Sequence, residues 1–128
     1  MEFSTLYGKA KSVLNPRKIN DFLEAGGVGA AILTRSGKVY LGVCIDSACS
    51  LGFCAEHAAV AAMLTAGEDQ VEKVVAVDWD GAVLPPCGRC RELLSQLQLN
   101  QEKIQVMIAE DMVVTLDELL PYDWKGSV

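Results

Sequence analysis

The sequence predicts an α/β fold, a mixed β-sheet with helices on both faces. Three observations carry that expectation. A hairpin pattern occupies the first third of the chain. Helical and strand patterns then alternate to the end. Two of the helical segments are apolar enough to pack side by side on one face of a sheet.

Phe3, Leu6, Ala10, Val13 and Leu14 recur at helical spacing, which predicts an amphipathic helix over about 3–14. Asn15-Pro16 ends it, because a residue before proline is pushed out of the helical region. Gly26-Gly27 precede an apolar strand, 28–34. Arg35-Ser36-Gly37-Lys38 is a turn, and a second strand over 39–45 completes the hairpin. Residues 46–53 read as a loop. The stretch 54–66 is rich in Ala, Met and Leu and reads as a mostly buried helix stopped by Gly67. A strand over 73–79 runs into an Asp80-Gly81 turn, and Pro85-Pro86 lead to a helix over 87–97. A strand over 104–109 and a short helix over 115–120, with Thr115 as its cap, complete the pattern.

With 128 residues, 51% of them hydrophobic, the chain reads as a single domain, 1–128, able to bury a core. The net charge is −6, with 11 Lys and Arg scattered among 17 acids. A polynucleotide ligand needs a basic face to displace counterions, so nucleic acid is not the expected partner; a small neutral or cationic substrate fits better. No apolar run approaches the roughly 20 residues that span a bilayer, and residues 1–14 lack a secretory pattern. A cytoplasmic location follows as the expectation, with no membrane partner. The five cysteines should then stay reduced, which points to metal binding or catalysis.

Two segments carry the chemistry: Cys54-Ala55-Glu56-His57 and Pro86-Cys87-Gly88-Arg89-Cys90-Arg91. Cys87 and Cys90, three apart at a helix start, put their sulfurs on one side, and Cys54 at the start of the neighbouring helix supplies a third. Three protein ligands leave a tetrahedral zinc with an open position, where a water is acidified to a pKa of about 7. Glu56 sits beside the metal without binding it and is placed to move protons. The pattern is that of the zinc deaminases: His or Cys, one residue, Glu, then Pro-Cys-x-x-Cys. Three thiolates leave the site negative, and the two helix N-termini offset that charge. His57 and Arg91 are candidate donors to the sulfurs.

The sequence resembles the cytidine deaminase family, and within it the blasticidin-S deaminase branch. The resemblance runs from Val28-Gly29-Ala30-Ala31 through Gly37-Lys38-Val39-Tyr40 and both metal segments to Leu119-Leu120-Pro121. It implies a three-layer α/β/α sandwich with a mixed, about five-stranded central sheet. It also implies one Zn2+ per subunit and a homotetramer with shared sites, a dimer being the smaller option. The implied reaction converts the 4-amino group of a cytosine nucleoside to the uracil form with release of ammonia. Cytidine, deoxycytidine and a sugar-modified relative such as blasticidin S are the implied substrates, and pyrimidine salvage the implied setting. Family members hold the ribose with an Asn and a Glu two residues apart; Cys44 and Asp46 align there. Ala55 joins the implied substrate contacts, as do Tyr122 and Trp124, since a tail aromatic enters a pocket in these families. Gly26 stands where the family places a stacking aromatic, and His57 where it places an arginine.

Other readings of these residues stay open at this level. His57, three beyond Cys54, is able to close the site as a fourth ligand, which would make a non-catalytic zinc-stabilised structural or binding protein. Cys87 and Cys90 also fit a redox pair. Cys44 and Cys49 read from their own context as small loop or core residues, and Asp46 as a solvated loop acid.

Overall fold

A computed structural model describes residues 1–127. In chain order the elements are α1 (Phe3–Ser12), β1 (Arg17–Asn20), β2 (Leu23–Thr34), β3 (Val39–Ser47), α2 (Ala55–Thr65), β4 (Val71–Asp78), α3 (Gly88–Leu97), β5 (Gln105–Ala109), β6 (Met112–Thr115) and α4 (Leu116–Leu119). All six strands belong to one sheet. β2 pairs antiparallel with β1, β3 and β4; β5 pairs parallel with β4 and antiparallel with β6. The parallel step needs a crossover, and α3 lies within it.

Successive side chains of a strand point to opposite faces, and β2 and β4 use both. Ala31 and Leu33 of β2 join Val75 and Val77 of β4 beneath Leu6 and Ala10 of α1. Ala30, Ile32, Val74 and Ala76 face the other way, against Ala55, Ala59, Val60 and Met63 of α2, Leu94 of α3 and Leu116 of α4. The result is the three-layer sandwich implied by the sequence, with α2 and α3 on the same face.

Gly42 sets the depth at which α2 lies. A Cβ there would come within 2.5 Å of the Ala59 amide nitrogen and 2.6 Å of the Ala58 methyl. The helix therefore rests on bare backbone of β3, which fixes the height of its first turn. At its other end the Gly67 N–H donates to the Leu64 carbonyl and the Glu68 N–H to the Met63 carbonyl, closing α2 where expected. Thr115 caps α4, with the Glu118 carboxylate accepting from both its backbone N–H and its hydroxyl.

The sheet has six strands where about five were implied: β1 carries little sequence signal, and β6, Met-Val-Val-Thr, is β-prone but only four residues long. All four residues of β1 are exposed, so there is no apolar alternation to read. β6 is four residues long and folds back through Glu110-Asp111, with Asp111 in the left-handed region at φ 59°. β2 starts earlier than expected, at Leu23, and its pairing with β3 shifts between Ala25 and Gly29. Among the described residues no helix is long and apolar enough to cross a membrane.

Candidate active site

Cys54 and Cys87 are the N-caps of α2 and α3, one position before each helix. Both caps are extended, which turns their side chains toward the free N–H groups of the helix start. The Cys54 and Cys87 sulfurs are 3.3 Å apart, and Cys87 and Cys90 are 3.7 Å apart. The sulfurs of Cys54 and Cys90 and a ring nitrogen of His57 all lie within 4.8 Å of one another. Tetrahedral zinc with Zn–S bonds of about 2.3 Å separates its sulfurs by about 3.8 Å. The donor set and its spacing fit zinc.

Charge follows the same geometry. Burial pushes the Cys54 thiol up to about 11, with the Cys87 sulfur adding to the shift. Burial likewise raises Cys90, with Glu56 and the other two sulfurs contributing. Cys87 is lowered: burial opposes its thiolate, but the backbone N–H of Cys90 and the Cys54 thiol outweigh it. A dication reverses the upward shifts, because a coordinating thiol loses its proton outright. Glu56 is 5% exposed, and burial raises its carboxyl. A carboxyl raised in this way is a better proton acceptor than an exposed glutamate and is suited to carrying protons.

A cleft of about 610 Å³ opens over these groups. Its lining brings together Cys54, Ala55, Glu56 and Cys87 with Cys44 and Asp46 at the end of β3. Cys44 is buried; its sulfur accepts the Val28 N–H at 3.3 Å and lies 3.8 Å from an Asp46 oxygen. Cys90 is fully buried behind the cleft. His57 Nδ1 sits 3.3 Å from the Cys90 sulfur, and its ring stacks on Phe53. Burial, and then the Arg89 charge, lower the His57 pKa.

Two placements differ from expectation, Arg91 and the tail aromatics, while Gly26 offers no ring, as the sequence implied. Arg91 does not turn to the sulfurs: its guanidinium donates to the Pro86 carbonyl at 2.9 Å and the Leu119 carbonyl at 3.0 Å, tying the residue before Cys87 to α4. Tyr122 and Trp124 do not line the cleft of their own protomer. Tyr122 is fully exposed at φ 57°, and the Trp124 indole donates to Glu92 at 3.1 Å. Gly26 has no room for a ring, since it sits at φ 83° against Asn15. The aromatic walls of the cleft are Phe53 and Trp79. Sequence reasoning missed both, and Arg89 and Ser47 with them. Phe53 directly precedes Cys54 and was within reach of the motif; Trp79 enters only because β4 pairs beside Val28.

Residues 12–107 match the model of the cytidine and deoxycytidylate deaminase zinc-binding region. The chain is 41% identical to a cytidine deaminase of Mycobacterium tuberculosis over 68 residues, 52% of this chain and 51% of that protein. It is 31% identical to a blasticidin-S deaminase of Bacillus cereus over 103 residues, 73% of this chain and 74% of that one. The solved structure of the Mycobacterium tuberculosis cytidine deaminase superposes with a TM-score of 0.80 at 29% identity, covering 95% of this chain and 96% of that one. The Mycobacterium tuberculosis protein is thus matched in sequence over about half its length, whereas the structural match spans nearly all of both chains. With both cysteine segments inside the matched region, the chain belongs to the cytidine and deoxycytidylate deaminase zinc-binding family.

Proposed function

We propose that the protein is a zinc-dependent hydrolase that removes the 4-amino group of a cytosine nucleoside as ammonia. The observation that carries this reading is Glu56, a buried carboxyl on the wall of an open cleft, two residues beyond Cys54, whose sulfur lies close to those of Cys87 and Cys90. A purely structural zinc site has no use for such a group.

The net change exchanges water for ammonia: a C4–O bond forms and the C4–N bond breaks. Zinc held by Cys54, Cys87 and Cys90 would supply the Lewis acidity that makes a water nucleophilic near neutral pH. Glu56 takes the proton of the attacking water, passes it to ring N3, and delivers a proton to the departing amine. Phe53 and Trp79 offer faces to the flat ring, and Ala55 lies against it. Asp46 accepts a sugar hydroxyl, while Cys44 makes a weaker partner than an amide would. The pocket therefore depends less on an intact ribose, and a modified sugar as in blasticidin S is tolerated.

We also infer a single catalytic domain assembled as a homotetramer in a reducing, cytoplasmic setting. Phe22, Leu51 and Trp79 are 72%, 79% and 68% exposed. Trp79 lines the cleft, Leu51 lies between the lining residues Ser50 and Gly52, and the Phe22 carbonyl accepts the Ala48 N–H. Burying such a patch between copies is the ordinary outcome. Light scattering showing a monomer at micromolar concentration overturns this assembly.

The zinc-loaded protein should release ammonia from at least one of cytidine, deoxycytidine and blasticidin S. Release from none of them, with zinc bound, leaves the site as a structural one closed by His57, whose ring nitrogen lies close enough to serve.

A further inference from the structure

The chain has one histidine, His57, and it stands beside the sulfurs of Cys54 and Cys90. It is the third residue of α2, and its backbone N–H donates to the carbonyl of the cap residue Cys54 at 3.0 Å. Two roles are open to its Nδ1. With a bare lone pair it fills the fourth position of a tetrahedral zinc, where nitrogen sits about 2.0–2.1 Å from the metal. With a proton it donates to a thiolate and leaves that position to water. Reach does not separate the two roles, because the nitrogen lies within 4.8 Å of both sulfurs. Orientation separates them. Nδ1 makes a hydrogen-bonded contact of 3.3 Å with the Cys90 sulfur, which is fully buried on α3. To ligate, the ring must turn from that one sulfur toward the centre of all three.

Phe53 stands against that turn. Its ring centroid is 6.2 Å from that of the imidazole with 14° between the planes, an offset stack. Phe53 is not free to follow a turning imidazole. Its backbone N–H and carbonyl are both bonded to Ile45 of β3 at 3.0 Å, and Gly52 before it lies so close that a Cβ there would strike the Ile45 carbonyl. The imidazole is thus held between a ring fixed to β3 and a sulfur fixed to α3. Resting on the deaminase reading above, we propose that Phe53 is a positioning residue for the metal site: it holds His57 as a donor to Cys90, and so keeps the imidazole off zinc and the fourth position free for water. The donated N–H also offsets part of the negative charge that three thiolates leave on the site.

The test is zinc K-edge absorption of tag-free, zinc-loaded protein, in which any imidazole around the metal must come from His57. Turnover is not the readout, since Phe53 also lines the cleft. The unsubstituted protein should show three sulfurs and one light ligand without imidazole scattering. Phe53→Leu keeps apolar bulk but removes the flat face, and should bring one imidazole into the shell. Phe53→Tyr keeps the face and should not. Adding His57→Gln to Phe53→Leu should remove the imidazole again. A shell without imidazole in Phe53→Leu overturns the assignment, as does an imidazole already present in the unsubstituted protein. A second measurement needs no variant: long-range proton–nitrogen NMR spectra of the zinc-loaded protein should find the proton on Nδ1, and a proton on Nε2 alone contradicts the donor role. Failure to deaminate any cytosine nucleoside, with the shell free of imidazole, refutes the deaminase reading instead and leaves the role of Phe53 standing.

Discussion

The cleft is assembled from the ends of helices, whereas the C-terminal segment over 121–126 is held to the surface by side chains alone. In the cleft, Cys54 and Cys87 sit at caps whose positions are dictated by α2 and α3, themselves packed on the sheet through fully buried residues such as Ala59, Met63 and Leu94. In the tail, Lys125 pairs with Asp123 at 2.7 Å, Asp123 accepts from Gln101, and Trp124 reaches Glu92. Lys125 also donates to Ser95 of α3 at 2.8 Å. The contrast is one of construction: chemistry that needs tight placement is built on elements that the core holds in place, while the tail is joined to α3 and to Gln101 by polar side-chain contacts.

The largest expected effect breaks the cleft outright. Cys54→Ala or Cys87→Ala should abolish tight zinc binding and lower the melting temperature by on the order of 10 °C, the shift that corresponds to losing about 2–3 kcal/mol of metal-linked stability. Metal analysis and calorimetry on the same sample check both parts. If zinc stays bound at full stoichiometry without either sulfur, the ligand assignment fails. Glu56→Gln separates chemistry from metal: turnover should fall by about 10²–10⁴-fold with zinc retained. A variant that loses zinc instead would make Glu56 a ligand. Gly42→Ala sharpens the claim that backbone contact sets the height of α2. It should cost about 1–3 kcal/mol by overpacking, read by denaturant unfolding, and lower kcat/KM as the first turn shifts. A neutral outcome would mean that α2 is free to rise off β3.

The smallest effects belong to the tail. Lys125, and then Gln101, hold the Asp123 carboxyl below its ordinary range; hydrogen bonds from Gln96 and Trp124 do the same for Glu92. A lowered carboxyl stabilises the attachment above its unfolded pKa, about 3.9 for Asp, and that contribution is lost as pH falls through the lower folded value. Below about pH 4 the tail should detach, seen as a shift of the Trp124 indole resonance, with Lys125→Met causing the same release at neutral pH. Zinc retention in that variant at neutral pH is expected. Loss of metal on substituting Lys125 would contradict the independence of the two regions.

The same contrast explains what was legible in the sequence. Cys54, Glu56, Cys87 and Cys90 announce themselves because they are local patterns fixed by helix geometry; in the structure Cys54, Glu56 and Cys87 line one cleft and Cys90 is buried behind it. The core strands were equally plain, being short apolar runs. What escaped was decided by contacts between distant segments. Trp79 enters the cleft through pairing of β4 with β2, and Arg89 through the reach of its side chain toward Gly52. Arg91 looked like a partner for the sulfurs by adjacency, yet the carbonyls of Pro86 and Leu119 claimed it. β1, Arg-Lys-Ile-Asn and fully exposed, pairs through backbone bonds that leave no mark on side-chain composition, and β6 is too short a run to stand out before α4.

An open zinc position beside Glu56 is the central claim, and zinc K-edge absorption of the metal-loaded protein tests it most directly. Three sulfur ligands at about 2.3 Å with one light ligand lacking imidazole scattering is the result expected of the open site. Three sulfurs with one imidazole would place His57 on the metal, close the site, and contradict the assignment of Glu56 as its proton carrier.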